Sequence, residues 1–67
     1  MSFKIERVRK RVRLKHHRSW PTTITDAEAE TVTKWVTERD CGIRIAYDIW
    51  RLNSNACVTM FILHWGT

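Results

Sequence analysis

Basic and apolar residues alternate from Arg7 to Lys15 with almost no break. Arg7, Arg9, Arg11 and Arg13 hold one parity, while Val8, Lys10, Val12 and Leu14 hold the other. Successive side chains of a strand point to opposite faces. The pattern therefore predicts a strand over residues 3–14, with one apolar face and one row of guanidinium groups. Phe3 and Ile5 resist this reading. They share parity with the arginines and would face the wrong way unless a bulge near Glu6 re-aims them. A helix is the rival, because Ile5, Val8 and Val12 also fall at helical spacing. Valine is a poor helix former and a good strand former, which favours the strand.

Residues 15–24 read as a loop in which Pro21 holds Trp20 extended. A helix start follows. Thr25 can cap, and Glu28 stands three residues later, the spacing of a capping box. Asp26, Glu28 and Glu30 lie in the first turns, where the helix dipole favours acids. Ala29, Val32 and Val36 form an apolar stripe flanked by Trp35, and Glu30 precedes Lys34 by four. Gly42 marks the stop, so the helix should run from about Asp26 to Asp40.

After Gly42 the period changes to two. Ile43, Ile45, Tyr47 and Ile49 alternate with Arg44, Ala46, Asp48, Trp50 and Leu52. Asn53-Ser54-Asn55 is a turn signal, and residues 56–65 read as a last strand, apolar on both faces. A three-residue turn pairs Leu52 with Ala56 and assigns Ile43, Ile45, Tyr47 and Ile49 to the core. The expected architecture is one α+β domain over residues 1–67. It is a three-stranded antiparallel sheet in the order strand, helix, strand, strand, with the last strand central. The one helix packs on one face and leaves the other uncovered.

A chain of 67 residues makes one domain at most, burying only ~60% of the surface that its unfolded chain exposes. Cys41 and Cys57 are too few for a disulfide framework and are expected as reduced, buried thiols. No secretory leader is legible. The longest apolar stretch, residues 56–63, is far shorter than the ~20 residues that span a bilayer. The expectation is a cytoplasmic protein without a membrane partner.

Charge sharpens the picture. The net charge is +5. Residues 1–18 hold eight Lys/Arg against one acid, for +7, and residues 19–67 hold four against six, for −2. Such polarity favours polyanions or acidic protein surfaces.

Arg7, Arg9, Arg11, Arg13 and Lys15, joined on the uncovered face by Arg44 and Trp50, would suit nucleic acid, RNA or DNA. Arginines pair with phosphates, and a base stacked on tryptophan contributes ~1–3 kcal/mol. The expected function is a small non-enzymatic regulator that binds nucleic acid. No RNP motif, KH loop, zinc-finger spacing or helix-turn-helix supports it, and charge on an edge strand also blocks aggregation. The alternative is an inhibitor or adaptor. Trp50, Val58, Met60 and Ile62, with Ala46 and Leu52, would form an apolar sheet patch for a protein target or a homodimer seam, unless the loop carrying Trp20 covers it.

Catalysis lacks support. Cys57 and His64 have opposite parity on the expected strand, and Glu28 and Glu30 stand about 200° apart on a helix. No HExxH, P-loop, GxSxG or GxGxxG occurs. His16, His17, Cys41, Cys57 and His64 lack the paired spacing of structural zinc sites, so no metal and no cofactor are expected.

Overall fold

The computed structural model describes residues 2–66. Its elements are β1 (Lys4–Val8), β2 (Arg11–Lys15), α1 (Asp26–Glu38), β3 (Gly42–Ala46), β4 (Ile49–Leu52) and α2 (Asn55–Trp65). The strands form one sheet in the order β1-β2-β4-β3, with every neighbouring pair antiparallel. The fold is α+β, but the three-stranded, one-helix architecture is overturned. The described residues form four strands and two helices.

The first correction concerns the arginine-rich strand. It is a hairpin, broken at Arg9 and Lys10, with Val8 opposite Arg11. Arg9 takes a φ of 58°, a conformation non-glycine residues seldom adopt. No Gly, Asn, Asp or Pro marks the turn, so the alternation ran through it unbroken. The turn also disposes of the Phe3 and Ile5 conflict. Ile5 pairs with Leu14 and Arg7 with Val12, so these residues share the helix-facing side, while Arg11 and Arg13 point the other way.

The second correction concerns residues 56–65, which lie in a helix. Ser54 is its N-cap and accepts from the Cys57 amide at 3.2 Å. Asn53-Ser54-Asn55 thus starts a helix and does not turn a hairpin. Val58, Phe61 and Trp65 are buried, with Ile62 packed against them. Their spacing of three, four and seven residues is a helical stripe.

The capping of α1 matches the expectation, although Lys34 pairs with Glu38 and not with Glu30. Thr25 accepts from the Glu28 amide at 3.2 Å, and the Glu28 carboxylate accepts from the Thr25 amide at 2.8 Å. Ala29, Val32 and Val36 are its buried stripe. The expected stop is corrected. Arg39 caps the helix, Asp40 follows at φ 52°, and Gly42 already belongs to β3. A Cβ on Gly42 would collide with the Arg51 carbonyl and stand 2.8 Å from the Leu52 Cα. The glycine therefore lets β3 approach β4 closely.

The third correction concerns residues 43–52, expected as one strand. They form a second hairpin that turns at Tyr47 and Asp48 between β3 and β4, and the face assignment is inverted. Trp50 and Leu52 are buried, whereas Ile43, Ile45 and Tyr47 are exposed. A bulge between Arg44 and Ala46 shifts the register next to the turn. Val12, Leu14, Trp50 and Leu52 share one core with the stripes of both helices, so α1 and α2 cover the same face. Trp50 Nε1 donates to Thr33 Oγ1 at 3.1 Å, which satisfies the buried indole.

The chain thus runs through hairpin and helix twice. β1 and β3 begin at residues 4 and 42, and β2 and β4 at 11 and 49, so the second hairpin repeats the first 38 positions later. Where the hairpins meet, the Leu14 amide donates to the Asp48 carbonyl at 3.0 Å. The Leu52 amide donates to the Lys10 carbonyl at 2.8 Å. These bonds interchange under the same shift of 38. The sheet therefore has an approximate two-fold axis at the Val12–Trp50 pair. Among the described residues, no helix is long and apolar enough to cross a membrane.

Candidate nucleic-acid interface

Both helices lie on one side of the sheet, so the other side stays open. Register places two rows of side chains across it. Val8, Arg11, Arg51 and Ile43 form one row, while Glu6, Arg13 and Ile49 form the next. Lys4 and Lys15 stand opposite each other beyond them.

The expected binding residues divide. Arg11, Arg13 and Lys15 lie on the open face, and Arg9 occupies the turn beside it. Arg7 and Arg44 turn toward the helix side of the two edge strands. There each secures its own hairpin. Arg7 Nε donates to the Arg9 carbonyl at 2.7 Å, and Arg44 Nη2 donates to the Tyr47 carbonyl at 2.6 Å. Trp50 is fully buried and cannot stack a base. The expected apolar sheet patch dissolves too. Val58 is core, Ile62 packs partly against it, and Met60 is exposed on α2. Trp20 covers nothing, being 84% exposed.

Lys10 and Arg51 belong to the open side and were missed. One signal could have found Arg51. Val12-Arg13-Leu14 recurs as Trp50-Arg51-Leu52, apolar-Arg-Leu at the shift of 38. An arginine flanked by two buried residues on a strand must point outward.

The electrostatics of the face are graded. Glu6 accepts from Lys15 Nζ at 3.0 Å. The Lys15 hydrogen bond and charge, with help from Arg13 and Lys4, hold its carboxyl below the ordinary range. Arg13 stands 3.7 Å from the Asp48 carboxylate. At the hairpin end, Arg9, Lys10, Arg11 and Arg51 have no carboxylate partner among the described residues. With Val8 they line an open concavity of about 640 Å³.

Arg11 and Arg51 are direct cross-strand partners. Opposed residues on antiparallel strands have Cβ atoms roughly 4.5–5.5 Å apart, and like charges there are destabilising. The sheet holds two guanidinium groups where folding alone favours a neutral or mixed pair.

The titratable groups elsewhere suit structure. His16 Nε2 lies 2.9 Å from Glu28 Oε1, joining the loop to the α1 cap. The Cys57 thiol meets Cys41 Sγ at 2.6 Å, and both are free thiols. His64 stacks on Trp35 at 4.9 Å between ring centroids. Among the described residues, no three His, Cys, Asp or Glu side chains are grouped to hold a metal ion.

No protein-family model, curated protein or solved structure matches this chain.

Proposed function

We propose that the chain binds nucleic acid by seating backbone phosphates on the cationic end of its open sheet face. The observation that carries this reading is the unpaired Arg11–Arg51 cross-strand pair, flanked by Arg9 and Lys10 on one concavity. A phosphate between two opposed guanidinium groups relieves their repulsion and gains charge-assisted hydrogen bonds. Arg13 and Lys15 extend the face along β2, each with a carboxylate beside it, Asp48 and Glu6. No reaction is assigned. The role is that of a binding regulator.

Fluorescence anisotropy with labelled oligonucleotides across a salt series tests it. Four phosphate contacts on a single strand give a slope of log affinity against log salt of roughly −3. Arg51→Thr should weaken binding and flatten that slope by about 0.7. Binding that ignores salt, or no binding at low salt, refutes the reading.

A second reading rests on Ile43 and Ile45, 63% and 44% exposed along the edge strand β3. Exposed apolar residues on an open edge suit a protein partner or a second copy of this chain. Light scattering tests the second copy directly.

A further inference from the structure

A smaller concavity adjoins the cationic one and shares Val8 and Arg11 with it. Its volume is about 270 Å³, below the roughly 300–1,000 Å³ of sites that enclose a drug-sized ligand. It has room for one ring system. Val8 and Ile49 supply apolar surface, and Arg11 and Arg13 flank it from β2. Residues two apart on a strand have Cα atoms roughly 6.6–6.8 Å apart. That is about twice the ~3.5 Å separation of carbon atoms in contact, the room one flat ring needs between two planar groups. Guanidinium planes stack on unpaired nucleobases. The Glu6 carboxylate at the rim offers an acceptor to a base edge.

We infer that this slot takes one base of a single-stranded nucleic acid whose phosphates lie on Arg9, Lys10, Arg11 and Arg51. The inference rests on the phosphate-binding reading above and adds strand type to it. A phosphate site continuous with a ring-sized apolar slot matches the repeat of a nucleic-acid strand, charge beside base. A duplex keeps its bases stacked and paired, and can deliver one only at the cost of unstacking it.

The full chain is titrated at low salt against three labelled probes of equal length. These are a thymidine strand, a strand of abasic residues with the same phosphates, and a blunt duplex. The thymidine strand should bind roughly two- to thirty-fold more tightly than the abasic one, and more tightly than the duplex. Ile49→Thr, on the slot but outside the cationic concavity, keeps a β-branched strand residue and should shrink that ratio toward one. The salt slope should stay unchanged, and circular dichroism checks that the variant is folded. Equal affinity for thymidine and abasic strands overturns the slot and leaves the phosphate reading standing. Preference for the duplex does the same. Absence of binding to all three probes overturns both.

Discussion

Val12 lies directly opposite Trp50 where the two hairpins join, and both side chains are fully buried. The approximate two-fold axis passes through this pair. The indole also meets the Phe61 ring of α2, with centroids 6.2 Å apart, and donates to Thr33 of α1. One side chain thus touches both hairpins and both helices.

Trp50→Ala should therefore cost about 3–5 kcal/mol, the usual loss for a buried aromatic. In a chain this small that loss should leave little folded protein. Urea denaturation followed by circular dichroism measures it. A loss below about 1 kcal/mol would place the indole outside the core, contrary to this fold.

Arg51→Thr should stabilise the free protein while weakening its binding. Removing one of two opposed like charges recovers roughly 0.2–1 kcal/mol. For a domain of this size, the upper figure corresponds to a rise in melting temperature of roughly 4–8 °C. The gain should shrink at high salt, because the lost repulsion is already screened there. Melting curves at two salt concentrations check both points. A destabilised Arg51→Thr protein would mean that Arg51 has a structural partner.

Thr25→Ala removes the N-cap of α1 and should cost about 1 kcal/mol. Melting temperature should fall by roughly 4–8 °C. Ser54→Ala should act similarly on α2, whose first turn has no acid to favour it. Unchanged melting in either variant would show that its helix starts elsewhere.

Glu28 links stability to pH. Burial alone would raise the pKa of its carboxyl. The Thr25 amide and hydroxyl hydrogen bonds and the His16 contact outweigh that effect and hold it below the ordinary value. As pH falls, the unfolded carboxyl then takes up its proton before the folded one. The stabilisation is complete above the ordinary carboxylate range and is lost as pH drops through the folded pKa. Glu28→Gln can still span the capping box but cannot titrate. Its stability should fall less steeply between neutral and acid pH than that of the natural protein. Parallel acid limbs in chemical denaturation would argue against the coupling.

Cys41 and Cys57 should differ in reactivity. Burial, and then the Cys57 hydrogen bond and charge, push the Cys41 thiol up to about 11. Only about one molecule in a thousand then carries its thiolate at pH 8, and the thiolate is the reacting form. Cys57 is only half-buried. Iodoacetamide labelling read by mass spectrometry should modify Cys57 first and Cys41 at the rate of unfolding. Rapid labelling of Cys41 in the folded protein would contradict its burial.

Local chemistry made part of this protein legible from its sequence alone. The Thr25–Glu28 box and the Ala29, Val32, Val36 stripe identified α1, because a cap and its helix lie within a few residues of each other. The period-two stretch after Gly42 identified extended chain there, but as one strand where the structure turns at Tyr47 and Asp48 to make β3 and β4. The concentration of cations before residue 19 and the outward aim of Arg11 and Arg13 were likewise readable. Two things depended on tertiary context. Alternation is continuous through a two-residue turn, so the run around Arg9 and Lys10 reads the same as one strand or as a hairpin. Only the pairing of Val8 with Arg11 distinguishes them, and it turns Arg7 away from Arg11. The apolar run from Ala56 to Trp65 fits a strand by its β-branched residues and a helix by the spacing of Val58, Phe61 and Trp65. A four-stranded sheet needs more cover than α1 supplies, and burying Trp50 beneath Phe61 decides for the helix. The opposition of Arg11 and Arg51 belongs to that same tertiary level. These residues lie forty positions apart in the chain and meet only because the two hairpins pair.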